Sequence, residues 1–545
     1  MSNKYCSDLK IWSSSHNQCR KLFSDQMSLG QILLYSLSLN PEKICQINYD
    51  DDSQRTNGEI MDLTLKIAYN LTMMGFKQGQ VICYVCDNTH DLTPAVLAGF
   101  FLETPINAID TIFPSNEILH MFRIVQPKVV FCDDHVVHKV QTLLSELEND
   151  AKIFIIGKSV TGFQNIRELM HYDGDKATLQ KFYFKPPSVE KESRVLISCS
   201  SGTTGLPKGV AIPHEFVIGP TMCQYKYLLD PDNYSFTFNT IYWMAGLLNM
   251  VYSILMSVPR IITTKRFSLE EWLKITKKYK IGVIFSSAHV TSEIYTNNTL
   301  VGKNSDIKIY ISSGAVHPSG LDLKMRSYLS AGIFINGYGL TECGGIAILK
   351  EVSVGKTIGE LSTGVEAKII DDDGNQLGEE EIGELCVKTG NMFLGYWRNP
   401  EATREILDAD GWLHTGDLAS FNQNGYLVLA GRKKDMLKYK GMHISAAELE
   451  EIIQNHPKVK DVAVIGIPDP ICTDLPAAVV VKESNADVSE EEIILLVESK
   501  VMDNKRLRGG VYFIQEMPRT PSGKIQKYKL KDMVTKRYKE KLVSV

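Results

Sequence analysis

The chain has 545 residues, of which 44% are hydrophobic and 23% charged, and a formal net charge of -5. That length allows about two to four domains. The slightly acidic balance excludes a general nucleic-acid binder, which needs a basic stripe. Eleven cysteines at irregular spacing fit free thiols in a reducing compartment. MSNKYCSDLKIW at the amino terminus lacks the apolar stretch of a signal peptide. No apolar run reaches the roughly 18 residues that a bilayer-spanning helix needs, so no transmembrane segment is expected. An intracellular protein is the expectation.

Residues 63–74 have helical periodicity, 81–85 read as a strand, 92–101 as a helix, 129–131 as a strand and 136–147 as a helix. Strands alternating with helices of this length predict parallel β-α-β layers. Cys83 and Cys86 form a C-x-x-C, but they lie within VICYVCDN, a buried strand by pattern, with no second metal-ligating pair nearby. Pro186-Pro187 and the charged residues 190–192 mark a surface linker.

A short apolar strand, RVLIS at 194–198, then runs into SSGTTGLPKGV. Glycine permits close backbone approach and positive φ, so successive N–H groups can form a nest for phosphate oxygens. Ser201, Gly202, Thr203, Thr204 and Gly205 supply that backbone and its hydroxyls, and Lys208 adds a point charge. The pattern is not the G-x-x-x-x-G-K-[ST] loop, because Pro207 precedes the lysine and Gly209 follows it. On composition alone, a Ser/Thr/Gly-rich surface turn is the alternative.

Beyond this loop, His214 is expected to cap a helix. Trp243 and Met244, before the small Gly246, offer an apolar and adaptable pocket wall, with core packing as the alternative. The strand at 307–313 ends at Gly314-Ala315, a small-residue turn against which a flat ring can lie. A strand at 333–335 precedes Asn336, Gly337, Tyr338, Gly339, Thr341 and Glu342. These residues combine a stacking face, a close backbone, a phosphate donor and an acidic Mg²⁺ ligand. Asp417, read as lying in a tight turn after a short strand, can accept both hydroxyls of a ribose, although an Asx-turn is the plain alternative. Five cations in GRKKDMLKYKG at 431–441 would by default be a solvated face. Ser445 and Glu448 have capping-box spacing before AAELEEIIQ. Lys524 follows a Ser-Gly turn, where its flexible stem can reach a phosphate. Residues 527–541 read as a solvated basic tail.

SSGTTGLPKG, YGLTE, TGD with GRKKDMLKYKG, and PRTPSGK occur in an order that resembles the adenylate-forming superfamily of acyl-CoA synthetases, coumarate-CoA ligases and beetle luciferases. The resemblance runs from about residue 50 to 531. It implies an α/β fold: a large amino-terminal body of layered α/β subdomains (1–432) and a small mobile α+β lid (433–545), hinged near Lys434. ATP, Mg²⁺ and coenzyme A are the implied cofactors. Lys208 and the loop would hold phosphates, and Gly314 and Ala315 would flank adenine. Asp417 and Arg432 would hold ribose, and Glu342 the metal. Lys524 would drive adenylation, and Lys438 would face the site in a second half-reaction. The superfamily's pocket histidine is replaced around Trp243-Met244, and Cys343-Gly344-Gly345 stands where luciferases carry hydroxyl residues, which puts Gly345 at the acyl pocket. An ATP-dependent ligase joining a fatty or aromatic carboxylic acid to coenzyme A is therefore expected. A luciferase-like monooxygenase and a catalytically silent homologue are the alternatives. Family membership points to the peroxisome or cytosol, though the terminal Val-Ser-Val is no S-K-L-type signal.

Overall fold

In the computed structural model, residues 3–14, 27–187, 193–199, 207–218, 227–296, 304, 306–314, 321–330, 332–349, 357–390, 392–440, 442–484, 486–519 and 524–543 are described. Three sheets organise them. A seven-stranded sheet has the order 209–213, 194–199, 106–109, 82–85, 129–133, 152–156 and 164–165. All neighbours in it are parallel except Gly209–Pro213, which returns antiparallel beside Arg194–Cys199. Its central strands are buried throughout, ICYV and VVFCD among them, as expected where helices cover both faces. Cys83 and Cys86 are buried in the core here, as their pattern predicts. Leu92–Phe101 forms a helix with every residue buried.

A second path of fifteen strands is parallel over 44–48, 260–262, 234–236, 281–287, 309–313 and 333–340, and antiparallel from 344–349 onward. Arg266 joins this sheet to the first, reaching Asp87 Oδ1 and Asp110 Oδ1 at 2.8 Å each. Thr240 Oγ1 also donates to Asp110 Oδ2, at 2.7 Å. Asp110 is fully buried, so these donors offset a desolvation cost that an unpaired carboxylate could not bear.

The third sheet holds 442–445, 436–439, 473–482 and 459–469, with 510–513 parallel beside 473–482. Its apolar side makes a separate core with Leu449, Ile453, Val479, Ile493 and Val534. Ser445 caps the helix Ala446–Gln454 by accepting from the Glu448 N–H, which is half of the expected capping box; the Glu448 carboxylate pairs with Lys505 at 2.7 Å instead. The expected basic tail is instead the helix Lys527–Val543, because Leu530 and Val534, four residues apart, bury one stripe on this sheet. Lys527 pairs with Glu450 at 2.7 Å.

His214 is not a cap. It starts the helix His214–Ile218 with its ring in the core, where the Leu29 N–H donates to Nδ1 at 3.1 Å. Nε2 lies 3.0 Å from Glu103 Oε2. Long-range burial of a polar ring thus overrides the local role its position implied.

Candidate active site

The candidate site gathers at strand ends. Ile309–Ser313 and Ile333–Leu340 run parallel, with Ser312 opposite Asn336 and Ser313 opposite Gly337. Gly314 follows at φ +98°, and a Cβ built on it meets none of the described residues within 4 Å. One on Gly337 meets nothing nearer than 3.9 Å. Gly314, just past one strand, and Gly337, at the last pair of the parallel register, therefore present open backbone at that carboxyl edge, where open α/β sheets take ligands.

The second strand continues through the motif to Leu340 rather than stopping at Ile335. It pairs with Gly344–Leu349, and Thr341, Glu342 and Cys343 form the tip of the hairpin. Gly339 is required there, since a Cβ would fall 2.2 Å from the Gly344 carbonyl oxygen. Thr341 and Glu342 are half-buried.

Asp417 lies within the nine-residue strand Leu413–Phe421, not in a turn. The strand alternates buried and half-buried residues, and that alternation turns Asp417 inward to 5% exposure. Arg432, its cross-strand neighbour, donates from Nε to Oδ1 at 2.6 Å. The Tyr338 hydroxyl donates to Oδ2 at 2.6 Å. Burial raises the Asp417 carboxyl above its ordinary range, and Arg432 and Tyr338 oppose that rise. A carboxylate has about four lone-pair sites, so acceptor capacity remains for a diol.

Lys524, from the carboxy-terminal part of the chain, lies near enough to this group to feel its charges. Burial lowers its ammonium, Arg432 lowers it further, and Asp417 and Glu342 pull it back up. Lys434 is lowered by the same two causes, with Asp435 and Asp417 opposing. Arg432, Lys434 and Lys524 thus converge on Asp417. Three cations gathered beside Asp417, Asp435 and Glu342 can contact an anionic ligand.

Lys208 immediately precedes Gly209–Pro213, and His120 Nε2–H donates to the neighbouring Pro207 carbonyl at 2.9 Å. Its ammonium sits 4.8 Å from the centre of the Tyr396 ring. The Tyr396 hydroxyl donates to Glu342 Oε1 at 2.8 Å. Mg²⁺ is a hard cation that takes one or two carboxylates together with substrate phosphates. Glu342 fits that requirement: its hydroxyl partner is neutral and leaves the carboxylate charge in place.

Family comparison decides the affiliation. The family described as AMP-binding enzyme matches residues 36–397, and the AMP-binding enzyme C-terminal domain matches 448–524. The chain belongs to the AMP-binding enzyme family. Luciferin 4-monooxygenase of Photinus pyralis is 30% identical over 500 residues, covering 88% of this chain and 89% of that protein. 4-Coumarate-CoA ligase 1 of Narcissus pseudonarcissus is 26% identical over 526 residues, covering 93% and 94%. ATP-bound MatB of Rhodopseudomonas palustris shares the fold at a TM-score of 0.81 and 21% identity, over 94% of this chain and 100% of that one. The α/β body and separate carboxy-terminal domain expected from the motifs are the architecture of this family. Its acid–thiol ligases are AMP-forming and use ATP, Mg²⁺ and coenzyme A.

In this AMP-binding enzyme the structure brings together Lys208, Gly314, Asn336, Gly337, Tyr338, Gly339, Thr341, Glu342, Asp417, Arg432 and Lys524. Ser201, Gly202, Thr203, Thr204, Gly205 and Ala315 lie outside the described residues. Lys438 is exposed on Met436–Tyr439, and among the described contacts none joins it to the cluster. Trp243 and Met244 are half-buried at the head of the helix Met244–Leu255, with Trp243 edge-on to Tyr242 at 4.7 Å. Gly246 is buried in the first turn of that helix, and a Cβ there would fall 2.1 Å from the Thr240 carbonyl oxygen, so it allows the helix to pack against the preceding backbone. Gly345 is exposed opposite Gly339. Tyr396 escapes sequence reasoning, because nothing in GYWRNP announces a partner 54 positions away. Among the described residues no helix is long and apolar enough to cross a membrane.

Proposed function

We propose that this enzyme activates a carboxylic acid with an apolar tail, a fatty acid in the first instance, as its adenylate and passes it to coenzyme A. In the first step the acid's carboxylate attacks the α-phosphorus of ATP, an acyl–phosphate bond forms, and pyrophosphate leaves. Two anions must meet, so neutralising charge and fixing geometry are the main tasks. Asp417 and Arg432 hold the ribose, while the open backbone at Gly314 and Gly337 admits adenine. Lys208 and the 201–205 backbone hold the outer phosphates. When bound, Mg²⁺ supplies charge neutralisation at the polyphosphate, and Glu342 is the residue that would hold it. Lys524 stabilises the charge on the α-phosphate as it inverts.

The observation that carries this reading is the buried Asp417 held by Arg432 and Tyr338 at 2.6 Å each, with Lys524 near enough to feel Asp417 and Glu342, residues from distant parts of the chain. A lid beginning near residue 433 and hinged at Lys434 would then turn. Lys524 would withdraw, and the exposed Lys438 would come to face the thiol step. The half-buried Trp243 and Met244 support an apolar tail. Pyrophosphate release across short, medium, long and aromatic acids tests the proposal. Release that depends on a fatty acid, and thioester formation that requires coenzyme A, are expected. Background release with every acid would refute it. Likeness to luciferases supports a second reading, light emission, which luciferin, ATP and Mg²⁺ in a luminometer would decide.

A further inference from the structure

The segment 392–397 is stitched between two parts of the site. The Phe393 N–H donates to the Glu342 carbonyl at 2.8 Å, and the Leu394 N–H to the Ala211 carbonyl at 2.8 Å. Ala211 N–H returns a bond to Gly395 at 3.0 Å, and Trp397 N–H reaches Gly209 at 2.7 Å. Gly395 adopts φ +104°, a turn that lets this backbone lie along the strand after Lys208. Tyr396 itself donates from its N–H to Thr403 Oγ1 at 2.9 Å. Its backbone is therefore held on both sides while its side chain points at Glu342. The strand after Lys208 belongs to the seven-stranded sheet, and the hairpin carrying Glu342 to the fifteen-stranded path. Tyr396 is where these two sets of phosphate machinery meet.

From this geometry we infer that Tyr396 is a positioning residue that sets the Mg²⁺ carboxylate and the polyphosphate lysine against one another. The inference rests on the reading of Glu342 as the metal's carboxylate. By donating to Oε1 at 2.8 Å, the phenol fixes the rotation of the carboxyl group and leaves Oε2 to take the cation. A hydrogen bond from an outer-sphere partner commonly governs a ligating carboxylate's affinity in this way. The same ring offers its negative face to Lys208 at 4.8 Å. An aromatic quadrupole steadies an ammonium without neutralising it, so the charge stays available to phosphate. Glu405, a carboxylate 4.0 Å from Lys208 and 66% exposed, competes weakly.

Two variants separate the contacts. Tyr396→Phe keeps the ring and removes the hydroxyl, whereas Tyr396→Leu removes both. Mn²⁺, followed by electron paramagnetic resonance with ATP and no acid, is the probe. Tyr396→Phe should weaken Mn²⁺ binding to the enzyme–ATP complex by about tenfold and leave metal-free ATP binding unchanged. Tyr396→Leu should weaken both. Adding Tyr396→Phe to Glu342→Gln should cost nothing further, because the hydroxyl acts through that carboxylate. Mn²⁺ affinity of Tyr396→Phe within twofold of wild type, or full additivity with Glu342→Gln, would overturn the inference. Failure of the wild-type enzyme to bind Mn²⁺ with ATP would instead remove the metal reading beneath it.

Discussion

Asp417→Asn tests the ribose assignment, because it preserves shape and removes charge. In the folded protein the carboxylate is 5% exposed and accepts from Arg432 and Tyr338 at 2.6 Å each. Tyr338 can still donate to an amide oxygen, so that bond weakens without being lost. The Arg432 side chain is 33% exposed and partly rehydrates, so the structural penalty is about 1–2 kcal/mol rather than the larger cost of stranding a buried charge. The effect on ATP is larger. A charge-assisted hydrogen bond is roughly twice as strong as a neutral one, and two ribose hydroxyls lose that assistance, at about 1–1.5 kcal/mol each. ATP should therefore bind about 30- to 150-fold more weakly, as read by calorimetry. Wild type should prefer ATP to 2′,3′-dideoxy-ATP, and the variant should lose that preference. Binding within threefold of wild type, with the preference intact, would refute the ribose role.

Asp133 gives a pH prediction. It is buried, accepts from the Asp87 N–H at 2.7 Å, and is pushed up to about 8 by burial. The unfolded chain releases that proton near 3.8, so the folded chain alone holds it between these values. The resulting stability is complete below pH 3.8 and is lost as pH rises towards 8, at up to about 1.4 kcal/mol per pH unit. From about pH 5.5 to 7.5 the urea-unfolding midpoint of wild type should fall, and that of Asp133→Asn should fall distinctly less; equal slopes would contradict this. Leu449→Ala truncates a fully buried side chain in the separate core of the carboxy-terminal sheet. It should cost about 2–5 kcal/mol and split the calorimetric trace, with that sheet melting first. One unshifted transition would contradict it.

Local signals were readable where local physics decides. Leu92–Phe101 is apolar throughout and forms the expected helix, and Ser445 caps its helix at the expected spacing. Glycines at 314 and 339 mark backbone that must stay open or pack tightly. Sequence reasoning failed where pairing across the chain overrides local preference. The glycine in LHTGDLAS reads as a turn, and Gly416 does take a left-handed φ of +67°, but as an irregularity inside a strand that pairs with 383–389 and 427–432 on either side and turns Asp417 inward. Similarly, Thr341 and Glu342 become a hairpin tip only once Gly344–Leu349 pairs with Ile333–Leu340. The contacts of His214 with Leu29 and of Tyr396 with Glu342 bridge long stretches of chain. No periodicity or cap announces them.

Lys524 lies near enough to Asp417 and Glu342 to feel their charge, and its work is expected to belong to the first half-reaction alone. Lys524→Ala should be assayed twice, by ATP–pyrophosphate exchange with an accepted acid and by thioester formation from supplied acyl-adenylate. Exchange should fall by about three orders of magnitude, the loss expected when an oriented charge at a transition state is removed. Thioester formation should remain within a few-fold of wild type. Equal loss in both assays, or exchange that survives, would contradict the central claim.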